Sequence, residues 1–144
     1  MIVRFIVYGM GREKVTNLVR GAAPPGTIVD ALSDYQAATD IKSGKADVAI
    51  GVCQSGSGGA LAIPRALLGA DACASLSTPS RRPTSEDIRS AVLQNKKVFG
   101  FALAHVDAAV PELVGALNSR STGGETEASA ATGESNKADQ GEAR

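Results

Sequence analysis

The residues best suited to chemistry cluster around Cys53. It ends the short apolar stretch that runs from Ala46-Asp47-Val48-Ala49-Ile50 through Gly51 and Val52, and Ser55, Gly56, Ser57, Gly58 and Gly59 follow it closely. Beyond them Ala60 to Leu68 is apolar, rich in Ala and Leu, and helical in character. A strand that turns through glycines into a helix brings unpaired backbone N–H groups and the positive end of a helix dipole to one point. Such a point attracts a phosphate, a carboxylate or an enolate oxygen. A thiol beside a helix N-terminus ionises more readily, which suits Cys53 to proton abstraction next to a carbonyl or to nucleophilic attack. Two structural roles compete with these: Cys53 as a small buried apolar residue, and the glycines as a turn that lets helix and sheet pack closely.

Other candidates are spread along the chain. His105 is the sole histidine and follows the last expected strand; as the side chain that titrates near neutrality it is the acid/base candidate. Arg65, two helical turns beyond Ser57, is a candidate anion ligand. Gly9-Met10-Gly11 matches the start of a dinucleotide fingerprint, but Lys14 stands where the third glycine belongs, so neither NAD nor FAD is expected, and no other cofactor. That turn can still border the same cleft, with Gly9 and Gly11 at its edge and Arg12 holding an anionic group. The basic loop Ser80-Arg81-Arg82-Pro83 reads as a solvated connection, a phosphate clamp or a subunit contact. One histidine and two separated cysteines, Cys53 and Cys73, do not make a metal-binding set.

The elements that position these residues alternate. Strands are expected at Ile2–Tyr8, Thr27–Val29, Val48–Cys53, Ala70–Leu76 and Val98–Leu103. Helices are expected at Arg12–Arg20, Asp34–Ser43, Ser57–Leu68, Thr84–Gln94 and Asp107–Leu117. Val48–Cys53 lacks polar alternation, as a strand buried on both faces does. Gly44 marks the end of the second helix, and Thr84 with Asp87 forms a near capping box. Pro64 predicts a kink or an early end in the third helix, and Pro111 falls in the first turn of the last. Repeated strand–helix units give an α/β fold: three layers, α/β/α, around a mainly parallel sheet of about five strands. Ligands of such sheets bind beyond the carboxyl ends of the strands, where the glycine-rich turn falls.

Composition narrows the functional classes. The chain of 144 residues has balanced formal charge, 3% aromatic residues and no tryptophan, which argues against nucleic acid as a partner. No apolar stretch approaches the roughly 20 residues of a membrane helix. The N-terminus reads as a strand rather than a signal peptide, and thiols without a secretory signal suggest the cytoplasm. From Asn118 to Arg144 there is no Val, Ile, Leu, Met or aromatic residue. Such a segment cannot offset its ordering entropy by apolar burial, so residues 1–117 are expected to form one domain and 118–144 a disordered tail. The expected partner is a small anionic metabolite, with self-association into a homo-oligomer left open.

Three segments carry a resemblance. Ile41-Lys42-Ser43-Gly44-Lys45-Ala46-Asp47, Ile50 to Leu61, and Phe99-Gly100-Phe101-Ala102 with His105-Val106 look like the YhfU-like bacterial proteins, a family of unknown function. The resemblance spans nearly the whole domain and implies a small cytosolic α/β protein. Cys53-Gln54-Ser55-Gly56-Ser57-Gly58 is also similar to the Cys-Gly-Thr-Gly-x-Gly segment of ribose-5-phosphate isomerase B and the galactose-6-phosphate isomerase subunits. That second resemblance implies Cys53 as the base for enediol formation, Ser55 to Gly58 as the oxyanion nest, and Arg65 in the place of a family lysine. Gln54 stands where that family has a glycine, and Pro64 where it has an asparagine.

Overall fold

The computed structural model describes residue 2, residues 4–54 and residues 58–127. Strands and helices alternate as β1 (Arg4–Gly9), α1 (Arg12–Ala22), β2 (Ile28–Ala31), α2 (Asp34–Lys42), β3 (Val48–Cys53), α3 (Gly58–Leu68), β4 (Cys73–Ser75), α4 (Ser85–Leu93), β5 (Val98–Ala102) and α5 (Val106–Glu127). Short 3-10 turns, Ala70–Ala72 and Leu103–His105, precede β4 and α5. The five strands form one sheet in the order β2-β1-β3-β5-β4, and every pair is parallel. The expected three-layer architecture is therefore present. Helix α5 packs between α1 and α4 on one face, and α2 packs on α3 on the other.

The strand sequences assign these faces. In β1, Phe5 and Val7 join the core beneath α1, α4 and α5, whereas Ile6 and Tyr8 point to the α2/α3 side. In β3, Val48, Ile50 and Val52 enter the first core and Ala49 the second. Phe99 and Phe101 of β5 fill the first core and are fully buried. The sheet is thus bulky toward α5 and small-residued toward α3, with Ala49 and Gly51 on β3 and Gly100 and Ala102 on β5. That asymmetry leaves room for Tyr8 to reach across Gly51 on the α3 side.

Several boundaries differ from expectation for local reasons. Pro64 sits inside α3 without ending it, because its lost donor is replaced from outside the helix, as described below. A 3-10 turn feeds α5, which starts at Val106, so Pro111 is its sixth residue rather than part of its first turn. Ala70–Ala72 takes the 3-10 turn, which leaves β4 only three residues. The Thr84–Asp87 capping box forms in full, and its hydrogen bonds hold the Asp87 carboxyl below its ordinary range. Helix α5 continues past Leu117 to Glu127. The Arg120 guanidinium donates to the Val92 carbonyl at 2.9 Å and to Asn95 Oδ1 at 2.5 Å, tying this extension to the end of α4. Residues 128–144 of the expected tail lie outside the described residues.

Candidate functional site

Strand order determines where a crevice can open. β1 and β3 are neighbours, yet α1 leaves β1 toward one face and α3 leaves β3 toward the other. Adjacent strands whose helices diverge leave a gap at their carboxyl ends, the usual ligand position in open parallel sheets. A cleft of about 510 Å³ lies there, bordered by Gly9, Met10 and Arg12 after β1 and by Val52, Cys53, Gly59 and Ala60 after β3. Leu32, Ser33 and Asp34, at the β2–α2 junction, close its third side.

Backbone geometry sets the two rims. Gly9 has φ +96°, and a Cβ there would overlap the Val52 carbonyl oxygen, so only glycine permits this crossing. Met10 N–H donates to that same carbonyl at 2.9 Å, joining the ends of β1 and β3. Leu32 N–H donates to the Val7 carbonyl at 3.0 Å and extends the β1–β2 ladder to the cleft. Ser33 caps α2, its hydroxyl accepting from Gln36 N–H at 3.1 Å.

Two ionic side chains of opposite sign face this space. Arg12 donates to the Leu32 carbonyl at 3.4 Å and has no carboxylate partner among the described residues. Asp34 accepts from Tyr35 N–H at 2.7 Å and likewise has no basic partner among the described residues. Met10, Leu32, Val52 and Ala60 make the remaining wall largely apolar. A low-polarity wall with a few convergent polar groups is how small-molecule sites are usually built.

Of the residues singled out by sequence, Gly9, Arg12, Cys53 and Gly59 meet in the cleft. Cys53 is half-buried and in no disulfide. Gly11 is the N-cap of α1, next to Arg12, and Gly58 is the first residue of α3. Ser55, Gly56 and Ser57 lie outside the described residues. Arg65 is placed elsewhere: its charge acts on Cys73, whose thiol is pushed up by burial against the lowering influence of Arg65 and Lys96. His105 sits in the 3-10 turn after β5 and does not border the cleft; its Nδ1 is buried with no hydrogen-bond partner. Arg81 pairs with Asp87 at 3.1 Å, away from the cleft.

Sequence reasoning missed Tyr8 and Asp34. Tyr8 borders the cleft at 2% exposure, and its hydroxyl donates to the Ala60 carbonyl at 2.5 Å. Burial, then the neighbouring Cys73, Asp34 and Cys53, push the phenol above its ordinary range, so it remains a proton donor at neutral pH. A tyrosine ending an apolar strand resembles an ordinary core residue. The one available signal was its register opposite Gly51, which only topology supplies. Asp34 read as the first residue of a helix, and the crossover from β2 brings it to the crevice. Among the described residues there is no cluster of three or more His, Cys, Asp or Glu side chains able to hold a metal, and no helix long and apolar enough to cross a membrane.

Comparison with known proteins agrees with this architecture. Residues 3–117 match the model of a family described as "Protein of unknown function DUF2620". The chain is 32% identical over 111 residues to the uncharacterized protein YhfU of Escherichia coli K12, covering 77% of this chain and 95% of that one, and the Shigella flexneri YhfU matches equally. Among solved structures, the type B ribose 5-phosphate isomerase of Trypanosoma brucei superposes with a TM-score of 0.60 at 16% identity, over 82% of this chain and 86% of that one. Ribose-5-phosphate isomerase B of Giardia lamblia gives 0.53 at 21% identity, over 91% and 98%. At these identities the likeness is one of fold.

Proposed function

The chain belongs to the DUF2620 family of proteins of unknown function, and from that premise we propose that it binds a small anionic metabolite, such as a phosphorylated sugar, in the cleft between the ends of β1 and β3. The observation that carries this reading is Arg12, a cation without a carboxylate partner among the described residues, bordering a mostly apolar cleft at a switch point of the sheet. Such a guanidinium gains most from a planar or tetrahedral oxyanion able to accept two parallel bonds. Gly59, in the first turn of α3, adds backbone and dipole attraction for the same charge. Asp34 supplies an acceptor for hydroxyl groups on the ligand body. The glycine-rich stretch Ser55 to Gly58 belongs to the same proposal.

A second reading has one specific observation in its favour: Cys53 borders the cleft in a fold shared with two ribose-5-phosphate isomerases. In it the ionised thiol removes the C2 proton of an aldose phosphate, the electron pair forms the C1–C2 enediolate, and the hydroxyl proton passes from O2 to O1. The thiol then returns its proton to C1 as the C2 carbonyl forms, which gives the ketose and the free thiolate. Backbone donors at the start of α3 would stabilise the developing oxyanion.

Calorimetric titration with ribose 5-phosphate, ribose and inorganic phosphate tests the binding reading, which expects the phosphate ester to bind, ribose not to bind, and Arg12→Gln to weaken the ester. Equal affinity for ester and ribose would overturn it. Proton NMR in deuterium oxide tests the isomerase reading. Loss of the C2 proton signal in wild type and its persistence with Cys53→Ala support catalysis, whereas an unchanged C2 signal in both refutes it.

A further inference from the structure

We infer that Tyr8 is the positioning residue of this cleft, because its hydroxyl replaces the backbone donor that Pro64 deletes from α3. The inference rests on the proposed site only for its functional consequence. In an unbroken helix the N–H of residue 64 would bond to the carbonyl of residue 60. Proline has no N–H, and its ring crowds that same carbonyl and tilts it outward. Pro64 lies inside α3 and is buried, and Ala60 is 4% exposed, so water is not at hand to satisfy the freed oxygen. A buried carbonyl left without a donor is costly. The Tyr8 hydroxyl supplies that donor at 2.5 Å, from a strand 52 residues earlier.

Three sequence features make the arrangement possible. Tyr8 is the register partner of Gly51, and a Cβ at Gly51 would overlap the Tyr8 ring. Glycine at 51 lets the ring cross β3 and reach α3, proline at 64 frees the acceptor, and burial keeps the phenol protonated. The bond fixes the first turn of α3, including Gly59 and Ala60 of the cleft wall, to the strand that also carries Gly9. Tyr8 therefore sets the distance between the two rims without contributing a reacting atom.

A double-mutant cycle isolates the device from ordinary packing. Tyr8→Phe keeps the ring and removes the donor, and Pro64→Ala restores the backbone N–H to Ala60. We expect Tyr8→Phe to raise the unfolding equilibrium constant about 10- to 100-fold in the natural background. With Pro64→Ala the same change should cost less than about 5-fold, because the carbonyl then keeps a donor. The positioning role has its own readout in the amide spectrum: Tyr8→Phe should shift the Gly9, Cys53 and Gly59 resonances, and Pro64→Ala should move them back toward wild type. Equal penalties in both backgrounds, or cleft resonances that do not move with Tyr8→Phe, overturn the inference. Both readouts need no ligand. Failure of ribose 5-phosphate to bind wild type would therefore count against the proposed function alone, and these readouts against the positioning role alone.

Discussion

Substituting Gly51 by alanine should be unusually damaging for a change of one methyl group. The new Cβ would come far inside van der Waals contact of the Tyr8 Cζ, Oη and Cε2 atoms. That ring is 2% exposed and held at its far end by the Ala60 carbonyl, so it cannot rotate away into solvent. Relief requires either moving β3 against β1, whose ladder carries the Tyr8–Gly51 pair, or releasing the hydroxyl. Overpacking a close-packed core and stranding the Ala60 carbonyl together give a destabilisation of about 2–5 kcal/mol. Urea denaturation at 25 °C measures it as a fall in midpoint at unchanged slope. The mechanism also fixes a coupling: Tyr8→Leu, destabilising alone by about 2–4 kcal/mol through the cavity it opens, should largely relieve Gly51→Ala, so that the double variant is far less destabilised than additivity requires. A Gly51→Ala cost below about 0.5 kcal/mol, the scale of an ordinary surface change, or simple additivity with Tyr8→Leu, would refute the packing argument.

Further outcomes follow from the same structure. Arg12→Gln should lower the affinity for ribose 5-phosphate about 10- to 100-fold, the worth of a charged hydrogen bond, while leaving the urea midpoint nearly unchanged, because Arg12 is exposed. Burial raises both the Cys73 thiol from 9.0 and the Tyr8 phenol from 10.0. The unfolded chain therefore releases these protons first, and the contribution of these two groups to stability should be flat below about pH 9 and fall as pH rises beyond it; Tyr8→Phe should remove part of the fall in a midpoint-versus-pH series. Thr84→Ala should cost about 1 kcal/mol through loss of the α4 cap, read from the same denaturation assay. Arg120→Ala should destabilise the domain by about 0.5–1.5 kcal/mol through loss of its bonds to Asn95 Oδ1 and to the Val92 carbonyl, which keeps the Asn95 N–H as a donor, whereas a residue in an unstructured tail would give no change.

Much of the fold was legible because its signals are local. Apolar runs of strand length, the Thr84–Asp87 box and Gly44 after α2 each express a preference of a few neighbouring residues, and the structure keeps them. Helix α5 runs past Leu117, because a helix already nucleated propagates cheaply and one long side chain, Arg120, reaches a distant carbonyl. The cleft was half legible. Gly9, Arg12, Cys53 and Gly59 stand beside obvious turns, so strand order alone gathers them. Asp34 and Tyr8 could not be read, since the first depends on which strands become neighbours and the second on a cross-strand pairing with Gly51. Arg65 lies apart from the cleft, since two helical turns carry it toward Cys73. Pro64 was read correctly as a lost donor, but its consequence depended on a tyrosine 56 residues away in sequence.

The central claim, that the crevice between the ends of β1 and β3 is the binding site, is tested most directly by following backbone amide resonances during titration with ribose 5-phosphate, with ribose as the control. The account predicts saturable shifts at Gly9, Arg12, Cys53 and Gly59 with the phosphate ester and none with ribose. Saturable shifts confined to Arg81, Arg82 and α4, or no saturable shift anywhere at millimolar ester, would contradict it.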